Sequence, residues 1–175
     1  MIIEYKGIKL RFVEADDAEF IVSIRNNEKK SRFISKTSQD VDAQKQWISD
    51  YKEREQQKKE FYFIAVDEKN EDYATYRVYK IDSGLPEIGS WVSKPDYSNI
   101  KNSIKVDVAV KDFVLNELKF DTLQFEVRKQ NTSVNSYHKL FQPELVRSDD
   151  ENNYYLLRRD TFNRILPDIL KKFKI

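Results

Sequence analysis

The chain has 175 residues, of which 39% are hydrophobic and 35% charged, a composition typical of one compact domain with a hydrophobic core. Its 31 lysines and arginines nearly balance its 30 aspartates and glutamates, so the net charge of +1 excludes the basic field of a nucleic-acid-binding protein. The lack of cysteine excludes disulfides, thiolate nucleophiles and cysteine metal sites. No stretch has the pattern of a signal peptide or a membrane span, so we expect a cytoplasmic protein without membrane contact.

Hydrophobic periodicity predicts the elements of the first half of the chain. Aromatic and β-branched residues mark the strands, whereas apolar residues spaced three and four apart mark the helices. The predicted elements are a strand at 7–14, helices at 15–26 and 38–54, and strands at 60–67, 74–82 and 87–93.

The second half begins with a strongly helical pattern at 103–118. Pro167 is expected to interrupt the last helical segment, because proline lacks the backbone N–H that a helix interior uses. Strands run together in the middle of the chain and helices cross between the later ones, which predicts a mixed α/β sheet. After the long helix, the predicted elements are a strand at 122–129, a short helix at 131–141, a hairpin of strands at 144–149 and 153–160, and a broken helical segment at 160–173.

Three stretches in a characteristic order resemble one protein family. They are "LRFVEADDAEFIVSIRN", "EIGSWVSKPDY" and "FEVRKQNTSVNSYHKLF". Their order and spacing resemble the GNAT superfamily of acetyl-CoA-dependent N-acetyltransferases, in its ribosomal-protein-acetyltransferase-like (RimJ/RimL) branch. The resemblance covers nearly the whole chain and implies a single GNAT domain over residues 1–175, with acetyl-CoA as co-substrate and without a metal.

The resemblance places the coenzyme A pyrophosphate on the loop at 98–103, where this chain has no glycine. The family pattern is Arg/Gln-x-x-Gly-x-Gly/Ala, and Ser98, Lys101 and Ser103 occupy its defined positions. Backbone N–H groups and the helix dipole bind phosphate whatever the side chains, so we expect a phosphate site at the N-terminus of a helix beginning near Ser103. Loss of cofactor binding is the alternative. The resemblance implies cofactor contacts at Ser90, Trp91, Val92, Ser98, Asn99, Lys101, Asn102, Ser103 and Asn131.

The implied reaction is attack of a neutral amine on the acetyl thioester, which needs a base, an oxyanion donor and an acid. The resemblance assigns the oxyanion to backbone N–H groups around residues 90–92. Glu87 is the first candidate for the base and Glu126 the second, although either could be an ordinary strand residue. His138 stands where the family has a tyrosine acid, and Tyr137 takes that place if the helix register shifts by one residue.

The resemblance places the acceptor against residues 25–47. The predicted contacts are Arg25, Asn26, Arg32, Phe33, Gln44 and Trp47, although the aromatic residues also suit core positions. Arginine suits an acceptor that bears phosphate, such as a nucleotide-linked amino sugar. We therefore expect an N-acetyltransferase for a small-molecule amine, as a monomer or homodimer. The alternatives are acetylation of protein N-termini and a GNAT-like binding module that has lost its cofactor.

Overall fold

The structure, a computed structural model, describes residues 2–175. Its strands form one eight-stranded sheet in the order β1-β2-β3-β4-β5-β6-β8-β7. Neighbouring strands run antiparallel except β5 and β6, which are parallel. This architecture confirms the mixed α/β sheet. The strands are β1 (Ile2–Tyr5), β2 (Ile8–Phe12), β3 (Phe61–Val66), β4 (Asp72–Tyr79), β5 (Glu87–Ser93), β6 (Thr122–Arg128), β7 (Glu144–Ser148) and β8 (Asn152–Arg158).

Five α-helices cover the two faces of the sheet. They are α1 (Ala18–Arg25), α2 (Val41–Gln56), α3 (Ile100–Asp112), α4 (Thr132–Lys139) and α5 (Arg159–Phe173). Helices α1 and α2 bury Ile21, Ile48 and Tyr51 against one face, while α3 and α5 form the larger core on the other face. None of the helices within residues 2–175 is long and apolar enough to cross a membrane.

The N-terminal segment forms a hairpin where the sequence predicted one strand at 7–14. Strands β1 and β2 pair with Tyr5 opposite Ile8, joined by a two-residue turn. Lys6 and Gly7 both have positive φ, at 47° and 91°, which is the conformation of a tight hairpin turn. The sequence did not predict β1, because the Lys6-Gly7 turn lacks the usual asparagine or aspartate.

Helix α3 begins at Ile100, three residues before the predicted start. Asn99 is its N-cap, and the Asn99 side chain accepts a hydrogen bond from the backbone N–H of Asn102 at 3.2 Å. A π-helical turn at Phe113–Glu117 then continues the helix to the predicted end of the pattern.

Helix α5 runs unbroken through Pro167, so the predicted interruption is wrong. Pro167 lies on the exposed side of the helix, where water can hydrate the carbonyl of Asn163 that loses its backbone partner. Phe162, Ile165 and Ile169 pack into the core on the opposite side and hold the helix together across the proline. The other predicted elements, including the hairpin of β7 and β8, are confirmed with small differences at their ends.

Candidate active site

Strands β5 and β6 separate to form a cleft in the middle of the sheet. They pair in register only at Glu87 and Gln124, where the Gln124 N–H also donates to the Pro86 carbonyl at 2.9 Å. Beyond this point a cavity of about 220 Å³, here called the cleft, opens between the strands. Its walls include Arg25 of α1 and His138 of α4. Since these helices lie on opposite faces, the cleft passes through the sheet.

A β-bulge in β5 lies on the wall of the cleft. Thr75 pairs with Val92 and Arg77 pairs with Gly89, so one residue of β4 opposes two of β5. Ser90, the first of the two, has a φ of 53°, and its carbonyl accepts from the Thr75 hydroxyl at 3.0 Å. A bulge leaves a backbone N–H outside the sheet ladder. Such an N–H is the kind of donor that an oxyanion needs.

A second cavity of about 300 Å³, here called the basic cavity, lies between α1, α2 and the sheet. Arg25, Ser35 and Ser90 line both it and the cleft, so the two spaces adjoin at the bulge. Its walls carry three cationic side chains and no carboxylate. The lining residues of the basic cavity are Ile21, Arg25, Ser35, Lys36, Thr37, Ser38, Ala43, Gln44, Trp47, Tyr62, Arg77 and Ser90.

Arg25 is a buried cation that holds one wall of the basic cavity. Its Nε donates to the Thr37 hydroxyl at 2.6 Å, and its Nη2 donates to the Ser35 hydroxyl at 3.1 Å. Arg25 is 8% exposed, so these bonds tie the loop at 35–37 to α1. The loop therefore presents its hydroxyl groups and the neighbouring Lys36 at a fixed place in the cavity wall.

Arg77 is the cation on the sheet side of the basic cavity. Its Nε donates to Glu60 at 2.5 Å, and its guanidinium lies 5.0 Å from the Trp47 ring centroid. Arg54 contacts the same two residues, with its Nε 2.8 Å from the other carboxylate oxygen of Glu60 and its guanidinium 5.3 Å from the Trp47 ring centroid. Arg54 does not line the cavity, whereas Arg77 does. The two arginines thus share their partners and differ in access to a bound molecule.

A buried polar network lies behind the cleft on the other face of the sheet. Asp107 of α3 accepts from the hydroxyls of Tyr76, at 2.6 Å, and Tyr137, at 2.7 Å, and forms an ion pair with Lys111. The Lys111 Nζ lies 3.2 Å from Nδ1 of His138. Asp107 and Lys111 are fully buried and His138 is 4% exposed. The network therefore reaches the cleft through the His138 ring and the Tyr76 ring, which both line it.

The surroundings of the network fix the charges of its members. Burial and the neighbouring Lys111 ammonium lower the pKa of His138 to about 3. Burial lowers the pKa of Lys111 below its usual value, and Asp107 offsets part of that effect. Burial opposes ionisation of Asp107, yet the Lys111 charge and the hydrogen bonds from Lys111 and Tyr137 lower its pKa overall. The ion pair of Asp107 with Lys111 joins a carboxylate to an ammonium, and the His138 ring beside them is neutral at neutral pH.

The fold and the cleft agree with the comparison of this sequence with known families. Residues 8–139 match the family model of the acetyltransferase (GNAT) domain. The chain belongs to the GNAT acetyltransferase family. No curated protein sequence gives a significant match.

Solved GNAT structures share the fold over almost the whole chain. FdhC in its apo form, described as a nucleotide-linked sugar GNAT, superposes with a TM-score of 0.85 at 30% identity over 97% of this chain and 96% of its own. Ribosomal-protein-S5-alanine acetyltransferase from Vibrio fischeri has a TM-score of 0.76 at 13% identity, over 91% and 97%. A mutant of spermidine N-acetyltransferase SpeG from Vibrio cholerae has 0.73 at 13%, over 90% and 97%. At that lower identity, the last two show the fold alone.

The structure brings together about half of the site residues predicted for this GNAT enzyme. Arg25, Gln44 and Trp47 line the basic cavity, and Arg25, Phe33, Ser90, Trp91, Asn131 and His138 line the cleft. Asn131 is also the N-cap of α4, with its side chain accepting from the Val134 N–H at 3.4 Å. The predicted residues that line neither space are Asn26, Arg32, Glu87, Val92, Ser98, Asn99, Lys101, Asn102, Ser103 and Tyr137.

The two predicted bases differ in their access to the cleft. Glu87 accepts from the Tyr79 hydroxyl at 2.5 Å and from Lys80 at 2.6 Å, and it lines a third cavity, which shares Phe125 and Glu126 with the cleft. Tyr79 lines the cleft, so Glu87 reaches it through that hydroxyl. Glu126 lines the cleft itself and is exposed. Direct proton transfer from a molecule in the cleft is therefore open to Glu126.

The N-terminus of α3, predicted to bind pyrophosphate, is partly satisfied by its own loop. The Ile100 N–H donates to the Ser98 carbonyl at 3.0 Å, and Asn99 caps the Asn102 N–H. Within residues 2–175 the Lys101 N–H has no hydrogen-bond partner, while the Lys101 side chain turns away to the Lys174 carbonyl at 3.1 Å. One backbone N–H is thus available to an anion without rearrangement, and release of the Asn99 side chain adds a second.

Sequence reasoning missed Arg77, Asp107 and Lys111. The two charges of α3 carried a signal, because they stand four residues apart within the apolar pattern "VDVAVKD". That spacing places them on one face of a helix whose neighbours are buried, which indicates a paired internal charge. Arg77 had no comparable signal, since a strand with one face covered by α2 and the other by α3 shows no regular polar alternation.

Because the pKa of His138 is low, the unfolding free energy of the protein should depend on pH. Replacement of His138 should remove the part of this dependence that the histidine causes. Below pH 6.5 the unfolded chain protonates this histidine, and the folded chain does not until about pH 3. Unfolding free energy should therefore fall as pH drops through this window, by up to about 1.4 kcal/mol per pH unit from this group. Replacement of His138 by Asn keeps an acceptor for Lys111 without a titrating ring.

Urea unfolding of the wild type and His138→Asn between pH 6.5 and 4.5 measures the difference. Asp107 stays ionised in the folded state over that range, because its pKa lies below the usual value. The wild type should lose stability with the steeper slope. Equal slopes in the two proteins would show that His138 is not buried in its neutral form.

Proposed function

We propose that this chain, as a single domain, transfers an acetyl group from acetyl-CoA to the primary amine of a nucleotide-linked amino sugar. The observation that carries the proposal is the basic cavity, which adjoins the cleft at the Ser90 bulge. An acceptor with its phosphates among Arg25, Lys36 and Arg77 would have its far end directed towards the cleft. The similarity to FdhC, described as a nucleotide-linked sugar GNAT, supports the same class of acceptor.

The cations of the basic cavity favour phosphate over other charged acceptors. Arginine binds phosphate oxygens through paired, charge-assisted hydrogen bonds. A polyamine such as the spermidine of SpeG would bring positive charge into a space lined by three cations and no carboxylate. A protein N-terminus is the competing acceptor. Acetylation of peptides that carry no phosphate would favour the protein N-terminus over the nucleotide-linked amino sugar.

The reaction uses groups on both sides of the cleft. Glu126 removes a proton from the acceptor ammonium, and the neutral amine attacks the thioester carbonyl carbon. The backbone N–H freed by the bulge at Ser90 donates to the carbonyl oxygen as negative charge develops on it. The C–S bond then breaks, and the sulfur takes the electron pair and a proton from His138. The nitrogen is positively charged after the attack and loses its second proton to Glu126, which has already passed the first proton to solvent. The acetyl group thus passes to nitrogen across the place where the two cavities adjoin.

Coenzyme A is proposed to bind along the cleft and the N-termini of α3 and α4. Trp91 and Asn131 line the cleft and are suited to its pantetheine arm. The free Lys101 N–H and the positive end of the α3 dipole are suited to its pyrophosphate. Ser98, Asn99, Asn102 and Ser103 complete this loop, in which Asn99 would turn away from its cap when the phosphate binds.

A pair of arginine variants tests the acceptor site. Arg77→Gln should raise the acceptor KM about tenfold or more, because a charge-assisted contact contributes roughly 1.5–3 kcal/mol. The acetyl-CoA KM should not change. Arg54→Gln is the matched control, since Arg54 shares Glu60 and Trp47 with Arg77 but does not line the cavity. The measurement is steady-state acetylation of a nucleotide-linked amino sugar, with spermidine and a peptide amine as rival acceptors.

Equal KM values for Arg77→Gln and Arg54→Gln would contradict the assignment of phosphate to the basic cavity. Preferential acetylation of the peptide or of spermidine would contradict the acceptor class.

A pair of variants at Lys101 tests the pyrophosphate site. Lys101→Pro removes the free backbone N–H in the first turn of α3, where proline is tolerated, whereas Lys101→Ala removes only the side chain. The Kd for acetyl-CoA, measured by calorimetric titration, should rise about tenfold for the proline variant relative to the alanine variant, the loss expected for one charge-assisted hydrogen bond. Thermal unfolding of both variants checks that the helix is retained. The same Kd for both would place the pyrophosphate elsewhere.

A further inference from the structure

Lys111 is a buried cation for which the fold alone gives no reason. Its ammonium is fully buried, lies 3.9 Å from the Phe141 ring centroid and contacts Asp107 and His138. A buried ion pair generally stabilises a protein no more than apolar residues of the same volume would. Its position directly behind a side chain of the cleft suggests a chemical role.

The contact between Lys111 and His138 determines which ring nitrogen carries the hydrogen. A lysine ammonium has three donors and no acceptor, so Nδ1 of His138 must accept at 3.2 Å and carries no proton. The ring hydrogen of the neutral imidazole is therefore on Nε2. Within residues 2–175, Nε2 has no hydrogen-bond partner, and His138 lines the cleft. The Nε2–H is thus the donor that the ring offers to a molecule there.

A neutral histidine cannot by itself supply the proton that the leaving thiolate needs. The pKa of about 3 leaves no second proton on the ring at neutral pH. If Nε2–H is given to sulfur, Nδ1 must gain a proton at the same time, because an imidazolate would otherwise remain. The group in contact with Nδ1 is the Lys111 ammonium, whose own pKa is lowered by burial, so it releases a proton more readily than an exposed lysine.

We propose that Lys111 is a positioning residue and proton source that acts through His138. As the C–S bond breaks, Nε2–H of His138 protonates the sulfur while Lys111 Nζ passes a proton to Nδ1. The products are a neutral thiol, a neutral imidazole with its hydrogen on Nδ1, and a neutral lysine amine. After the thiol leaves, a water proton enters at Nε2 and the Nδ1 proton returns to Nζ. This step rests on the proposed acyl transfer in the cleft.

The rest of the network is arranged to support this transfer. Asp107 holds Nζ, and its two oxygens also accept from the hydroxyls of Tyr76 and Tyr137, which keeps the carboxylate in place. Burial and Asp107 raise the pKa of both tyrosines well above the usual value, so they stay neutral donors. Tyr137, expected from the sequence to be an alternative acid, therefore acts as a support for Asp107.

The tautomer can be measured directly because His138 is the only histidine in the chain. Labelling with ¹⁵N-histidine gives one pair of ring nitrogen signals in wild-type protein. At pH 7 the spectrum should show an unprotonated Nδ1 and a protonated Nε2, with the ring neutral down to about pH 5. A protonated Nδ1, or an imidazolium at pH 7, would overturn the proposal. This readout needs no acceptor, so it stands apart from any failure of the proposed activity.

The double variant Asp107→Asn/Lys111→Met tests the proton transfer, because it removes the buried charges together and avoids an uncompensated carboxylate. Its kcat should fall about 100-fold, within the usual range for general acid–base catalysis, with both KM values near wild type. In mixtures of H₂O and D₂O, a plot of kcat against the fraction of D₂O should be curved for the wild type, because two protons move in the step. The same plot should be linear for the variant.

A double variant with wild-type kcat would overturn the proposal. If the variant does not fold, as judged by circular dichroism, the wild-type measurement is sufficient by itself. A linear dependence of the wild-type kcat on the D₂O fraction would overturn the proposal. No turnover of any amine by wild type, with the predicted tautomer present, would instead contradict the proposed function.

Discussion

Strands β5 and β6 run parallel but pair at only one position, Glu87 with Gln124, and are separated beyond it. Every part of the site depends on this separation of the two strands. A continuous ladder would close the sheet and leave no passage between its faces. The bulge at Ser90 removes β5 further from regular pairing on its other side, against β4. One opening in the sheet therefore brings together a backbone donor, a basic cavity on one face and a buried polar network on the other.

The charges on the two faces of the sheet differ in their burial and in the residues that hold them. The cations of the basic cavity line its wall while neighbouring side chains hold two of them, Glu60 for Arg77 and the hydroxyls of Ser35 and Thr37 for Arg25. The Asp107–Lys111 pair is fully buried and reaches the cleft through two side chains that line it, His138 beside Lys111 and Tyr76 beside Asp107. The first arrangement is suited to binding an anionic ligand, and the second is proposed to control a proton. The low dielectric around the pair makes both its hydrogen bonds and its proton affinity sensitive to small changes.

The sequence predicted the sheet, the order of its elements and the residues nearest the bulge, because these depend on periodicity and on local resemblance. It did not predict β1, since the Lys6-Gly7 turn lacks the common hairpin residues, or the unbroken α5, since the exposure of Pro167 depends on tertiary packing. The role of His138 required the structure for a different reason. A free histidine titrates near neutral pH, and only the burial of the ring beside Lys111 shows that this one stays neutral. The place of Arg77 depends on its contacts with Trp47 and Glu60, which are distant in sequence and which no local pattern encodes.

The central claim is that the cleft between β5 and β6 binds the acetyl thioester. Addition of acetyl-CoA to ¹⁵N-labelled protein, followed by backbone amide spectra, tests it most directly. The largest shifts should fall on Ser90, Trp91 and Val92 of the bulged strand, on Asn131 and on the first turn of α3. Shifts confined to the outer strands β1 and β7, or no shifts at millimolar acetyl-CoA, would contradict it.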